Sequence, residues 1–226
     1  MMSSVYVINP NSSEAVTAEI DAAVAPLRSS DGPQIICLSL AGGPPGIQSQ
    51  RDVDGVIPPM LRKAEELEEN AGAYVIACFS DPGLHALREQ SRCRVFGIAE
   101  CGVLTALTLG QRFGVIAILP TSVPRHLRYF GAMGVIDRFA ADLPIGLGVT
   151  ELSNEARTLS RMIEVGRALK ADHGADVLVM GCAGMARFRA SLEDAVGIPV
   201  VDPTQAAVTM AVGHVRLLQA SVRHQS

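Results

Sequence analysis

The same order of events occurs twice along this chain. VYVINPNSS at 5–13 matches VIAILPTSV at 115–123 in plan: a β-branched run, a proline-containing turn, then small polar residues that open a helix. GAYVIACFSDPG at 72–83 corresponds to GADVLVMGCAGM at 174–185, and RVFGIAE at 94–100 to GIPVVDP at 197–203. Spacing is kept as well, since Cys182 stands 104 residues after Cys78 and Asp202 stands 102 after Glu100. A duplication of this kind predicts two similar lobes of about one hundred residues, each within the ordinary domain range.

Within each half, short β-branched runs alternate with longer stretches of helical period, the pattern of βαβ units around a parallel sheet buried on both faces. Strands are expected at 5–8, 35–40, 74–78, 95–98, 114–119, 145–149, 177–180 and 199–201. Helices are expected at 13–27, 53–70, 83–90, 103–109, 123–133, 155–173, 186–196 and 204–219. The fold class is α/β: two similar lobes with mainly parallel sheets, related by pseudo-two-fold symmetry, with the active site in the cleft between them. The first lobe is drawn at 1–100, completed by the C-terminal helix 207–226, and the second at 101–206.

Composition narrows the function. With 48% hydrophobic and 19% charged residues, the chain of 226 is an ordinary globular one. Its formal charge of -4 comes without a basic run, so a nucleic-acid backbone has little to hold. Mean hydropathy is +0.27, yet the apolar runs fall far short of the ~20 residues a membrane helix needs. The opening MMSSVYVINPN has no basic n-region of a signal peptide, which points to the cytoplasm and to reduced thiols. Five cysteines in no CxxC spacing argue against a disulfide framework or a zinc site. The five histidines form no HxH or HExxH pattern and are expected as solvated helix-surface side chains, so no metal is assigned. AGGPPGIQSQRD at 41–52 lacks the GK[ST] ending of a phosphate loop, and no GxGxxG follows the first strand, which removes nucleotide cofactors. RKAEELEEN at 62–70 is a solvated helix face.

Ligands of open α/β sheets bind beyond the carboxyl ends of the strands, so the residues just after each strand carry the chemistry. These are Asn9 and Asn11, Cys78 and Ser80, Thr121 and Ser122, and Cys182 and Gly184. Asn11, with Glu14 three residues on, and Ser122, before Val123 and Pro124, also fit as helix caps. A cysteine at a strand end that opens a helix lies near the positive end of the helix dipole, which lowers its pKa and makes it a usable base. Burial as a small hydrophobe accounts well for Cys37, and Cys93 has no partner in the repeat. Cys101 answers to Pro203. Packing does not explain why Cys78 and Cys182 fall at the same step of both halves.

The motifs INPNSS at 8–13, GPPGIQSQRD at 43–52, ACFSDPGL at 77–84, GIAE at 97–100, GCAGMA at 181–186 and IPVVDPTQAAV at 198–208 resemble the aspartate/glutamate racemase superfamily. Within it they resemble the hydantoin racemase and allantoin racemase group, over nearly the whole chain. The superfamily's amino-acid racemases carry CNT and CTH at the two cysteine sites, where this chain has Cys78-Phe79-Ser80 and Cys182-Ala183-Gly184. That departure favours a neutral cyclic amide over a zwitterion and weakens an open-chain acid racemase or isomerase. The arylmalonate decarboxylases keep only the later cysteine. The resemblance implies two thiols flanking a carbon acid, one taking its proton and the other delivering a proton to the opposite face, with no cofactor. It implies that Asn11, Ser80, Thr121 and the backbone N–H groups around Ser80 and Gly184 donate to the developing enolate. Ile47, Phe79, Ala183 and Met185 would complete the substrate site, with Ile47 on a loop that could act as a lid. A homo-oligomer is expected by analogy. A two-lobed small-molecule binding protein would have the same cleft without requiring the two cysteines.

Overall fold

The computed structural model describes residues 4–223. Among them, eight strands form two four-stranded parallel sheets. The first contains β1 (Ser4–Asn9), β2 (Ile35–Ser39), β3 (Ala71–Ile76) and β4 (Arg94–Gly97) in the order β2-β1-β3-β4. The second contains β5 (Phe113–Ala117), β6 (Phe139–Pro144), β7 (Val177–Met180) and β8 (Val200–Val201) in the order β6-β5-β7-β8. One order is therefore repeated four strands later, and pairing is parallel throughout, with Val7 beside Val75 and Val115 beside Val179.

Strand alternation divides the core. In β1, Val5 and Val7 face the space between the sheets, while Tyr6 and Ile8 face outward. In β7, Val177 and Val179 face the middle, and Leu178 and Met180 face out. Period two therefore gives each central strand two buried faces, which is why these runs are apolar at every position. Outside the first sheet lie α2 (Gln50–Gly55), α3 (Ile57–Leu67) and α4 (Leu84–Gln90), with Met60, Ala64 and Leu87 on Tyr74 and Ile76. Outside the second lie α7 (Glu155–His173) and α8 (Arg189–Val196), with Met162, Leu169 and Leu192 on Leu178 and Met180.

Between the sheets lie α1 (Glu14–Val24), α5 (Ile98–Leu109), α6 (Val123–Met133) and α9 (Pro203–Arg223). Two of these cross over. α5 leaves β4 of the first sheet and packs on β7 of the second, where Gly102 lies so close to Pro203 that a Cβ would sit 2.8 Å from its side chain. α9 leaves β8 of the second sheet and covers β1, β3 and β4 of the first. Each sheet is thus covered by the helix that follows the last strand of the other sheet, and one core runs through both. Among the described residues, no helix is long and apolar enough to cross a membrane.

One strand lies elsewhere than its sequence suggests. The run at 145–149 alternates like a strand, but β5 pairs instead with Phe139–Pro144, and a 3-10 helix begins at Val149. FAADLP carries Asp142 and Pro144, which weaken it as a strand by propensity. Its place at a sheet edge leaves Pro144 harmless, and the buried Asp142 meets a partner on α6.

Candidate functional site

In each sheet the chain leaves its first strand toward one side and returns on the other, so a crevice opens between β1 and β3, and between β5 and β7, at their carboxyl ends. The two crevices face each other. Asn11 follows β1, Cys78 follows β3, Ser122 follows β5 and Cys182 follows β7, and all four line one small cavity of about 40 Å3. Glycine makes one of these strand ends possible. A Cβ on Gly181 would stand 2.6 Å from the Ile116 carbonyl oxygen, so only glycine brings Cys182 this close to β5.

The thiols sit in different surroundings from those expected. No α-helix opens at Cys78, since α4 begins only at Leu84, and Cys182 precedes a short 3-10 helix, Ala183–Phe188. Burial pushes the Cys78 thiol up to about 12, opposed by the Ser80 backbone N–H, with Cys182 raising it further and Arg125 opposing. Burial pushes Cys182 up to about 11, opposed by the Gly184 N–H and reinforced by Glu19. Desolvation thus outweighs the local dipoles, contrary to the lowering expected from a helix terminus. The N–H groups of Ser80 and Gly184 are turned to the sulfurs, where they hold down the cost of a thiolate.

Asn11 does not cap α1. Ser13 does, accepting from Val16 N at 3.3 Å, while Asn11 Oδ1 accepts from Asn9 Nδ2 (3.0 Å) and from Ser13 N (2.9 Å). With its oxygen engaged, Asn11 keeps its N–H2 without a partner among the described residues. Ser122 does not cap α6 either, because the preceding 3-10 turn, Pro120–Ser122, already runs into the helix; its hydroxyl accepts from Arg125 Nη2 at 3.2 Å.

The chain belongs to the Asp/Glu/hydantoin racemase family. That family's model matches residues 5–211. A hydantoin racemase of Rhizobium meliloti is 35% identical over 92% of this chain and 86% of its own length. A second, from Pseudomonas sp. (strain NS671), is 37% identical over 92% of this chain and 84% of its own. An allantoin racemase from Klebsiella pneumoniae superposes with a TM-score of 0.86 at 32% identity, covering 95% of this chain and 88% of that one. The two-lobed fold is therefore the fold of this family.

Of the residues singled out from sequence, Asn11, Ile47, Cys78, Phe79, Ser80, Cys182, Ala183 and Gly184 come together around the cavity. Two do not line it. Thr121 is exposed and its hydroxyl donates to the Gln48 carbonyl at 3.2 Å, so it ties down the loop that carries Ile47. Met185 turns away into the second lobe's outer core. That loop spans the cleft: Ile47 lies over the cavity opposite Val149, and a Cβ on Gly46 would stand 3.0 Å from Val149.

Sequence reasoning missed Arg125 and His126, which both line the cavity. His126 is buried rather than solvated, its Nδ1 2.6 Å from Asp142 Oδ2, with Phe79 edge-on at 5.1 Å between centroids. The adjacent Arg-His pair carries no motif, and its partner Asp142 stood in a segment expected to be a connection. Among the remaining histidines, His85 is exposed, His173 and His214 are half-buried, and His224 lies outside the described residues. Asp81, three residues after Cys78, holds a left-handed φ of 41°. Its carboxylate accepts from the N–H groups of Ala99 (3.0 Å) and Glu100 (2.9 Å) at the start of α5 and from Tyr129 Oη at 2.8 Å. The cysteine turn is thereby fastened to both α5 and α6. Among the described residues, no group of three or more His, Cys, Asp or Glu is placed to hold a metal.

Proposed function

We propose that this chain racemises 5-substituted hydantoins, with allantoin as the close variant, by proton transfer between the ring α-carbon and two thiols. The observation that carries this reading is that Cys78 and Cys182, at corresponding strand ends of the two halves, line one cavity. Two acid–base groups contributed to one cavity by the two halves suit a reaction that must remove a proton from one face of a carbon and return one to the other. One cysteine acts as thiolate and the other as thiol, and their roles exchange between the enantiomers. The bond from carbon to hydrogen breaks as a sulfur–hydrogen bond forms, and the electron pair moves onto the adjacent carbonyl oxygen. The free N–H2 of Asn11 is the group best suited to that developing oxyanion. Acid–base positioning contributes about 10² to 10⁴-fold per group, and fixed donors supply much of the rest. Neither thiol needs a cofactor for this exchange. The hydantoin racemase and allantoin racemase relatives support the same substrate class.

The two-thiol mechanism makes the variants asymmetric. Cys182→Ser removes the acid for one face and leaves the Cys78 thiolate, so in D2O it exchanges the α-proton of one enantiomer with retention and no longer inverts it. Cys78→Ser shows the opposite enantiomer preference. Proton NMR of each enantiomer, corrected for uncatalysed exchange, measures this directly. Near-normal racemisation by either variant, or inversion loss without mirrored selectivity, counts against the mechanism. A polarimetric screen of hydantoins alongside allantoin identifies the substituent.

A further inference from the structure

A second hollow opens beside the thiol cavity and shares four wall residues with it: Phe79, Ser80, Arg125 and His126. Its volume is about 250 Å3, and it is completed by Gln50, Val53, Arg128, Tyr129 and Ala132. Two guanidinium groups stand on its α6 wall, and no carboxylate lines it. Of the nearby acids, Asp52 accepts from Gln48 N (3.0 Å) and Ser49 N (2.8 Å) while its charge also acts on Arg125, Asp54 accepts from Gln50 Nε2 (2.8 Å), and Asp81 is held behind Tyr129 Oη.

Arg125 is held at the wall of the hollow by its own bonds. Nη1 donates to the carbonyls of Thr121 (2.8 Å) and Gln48 (3.4 Å) and Nη2 to Ser122 Oγ (3.2 Å), while Nε is buried with no partner among the described residues. Beyond its bond to Ser122, Nη2 keeps a second N–H, and a charge-assisted bond to a carboxylate is among the stronger ones open to it. Arg128 is exposed and donates to Gln50 Oε1 at 3.0 Å, which leaves most of its fork free at the mouth.

We propose that this hollow holds the C5 substituent and selects a hydantoin whose substituent ends in a carboxylate, that is, the hydantoin of an acidic amino acid. The inference rests on the hydantoin reading given above and adds to it the class of substituent. The ring sits between the thiols, the chain passes the Phe79 and His126 walls, and the terminal oxygens meet Arg125 and Arg128. A ureido or carbamoyl end would take the same donors without the charge.

The test compares three synthetic substrates on the whole protein: 5-(2-carboxyethyl)hydantoin, its near-isosteric 5-(2-carbamoylethyl) analogue and 5-isobutylhydantoin, with allantoin as a fourth. The carboxylate is expected to have a kcat/KM at least about tenfold above both neutral analogues and allantoin, with a KM that rises with added salt. Arg128→Gln, on an exposed helix face, is expected to lower the ratio of kcat/KM for the carboxyethyl over the isobutyl substrate about tenfold, mainly through KM. If a neutral analogue or allantoin matches or exceeds the carboxylate, or if Arg128→Gln leaves the ratio unchanged, the subsite is wrong while the racemase reading stands. If no hydantoin is turned over, the racemase reading itself fails and the subsite with it.

Discussion

A thiol whose pKa is pushed up to about 12 by burial is almost wholly protonated near neutrality, and Cys182 at about 11 is little different. The base form of either rises about tenfold per pH unit below its pKa, so kcat/KM should climb steadily from pH 7 to pH 10. Initial rates by circular dichroism, corrected for the uncatalysed reaction, check this; a flat profile between pH 7 and 9 would mean that the working thiol is already ionised. At the same scale, His126 and Asp142 form a buried pair, and Asp142 Oδ1 has no partner among the described residues. Truncating Asp142 to Ala leaves the imidazole N–H unmet, at a cost of about 1–3 kcal/mol, whereas Asp142→Asn keeps an acceptor and should cost less. Urea unfolding of the two variants separates these outcomes. Neither His126 nor Arg125 stood out in the sequence, because what makes them part of the site is the face that α6 turns to the cleft. The thiols did stand out, because a repeated position is visible without coordinates.

Single glycines set how the elements meet. Gly181 lies where β7 passes β5, and a Cβ there would also stand 3.2 Å from the Ala117 Cα. Both neighbours are backbone and cannot swing aside. Gly181→Ala should therefore shift the end of β7 with Cys182 on it; on the two-thiol proposal this lowers kcat by about 10²-fold by misplacing one of the two thiols, and it costs about 1–3 kcal/mol of stability. Gly213, inside α9 with open space around it, is the control: Gly213→Ala should leave kcat unchanged and stabilise the chain by about 0.4–1 kcal/mol. A Gly181→Ala protein with normal kcat would show that the strand end is more yielding than its geometry. Element positions were largely legible from periodicity, α6 and α7 and β7 to the residue. β6 was not, since a short edge strand with an acid and a proline has no period-two signal to distinguish it from the apolar turn that follows.

Across the whole molecule, the crossing of α5 and α9 makes the two halves one cooperative unit, and buried acids at the starts of these helices give its stability a pH dependence. Burial pushes Asp81 up to about 7 from an ordinary value of 3.8, and Asp202 up to about 6. Between these limits the folded state binds more protons than the unfolded one, so the contribution is full below about pH 4 and is lost as pH rises through 6 and 7. Stability to urea should accordingly be higher at pH 5 than at pH 7.5, and Asp81→Asn should shrink that difference. An Asp81→Asn protein with an undiminished difference would assign the effect to other groups.

The duplication, the α/β class and the pairing of Cys78 with Cys182 were all readable along the chain, because repetition and strand alternation are one-dimensional facts imposed by a period of two and by parallel pairing. Which side chains share the cavity with the thiols was decided only when the sheets faced each other. The same holds for the thiol pKa, where a sequence argument from helix dipoles points down and burial points up. Desolvation depends on everything that surrounds a group, most of it distant in sequence, and that sum exists only in the folded molecule.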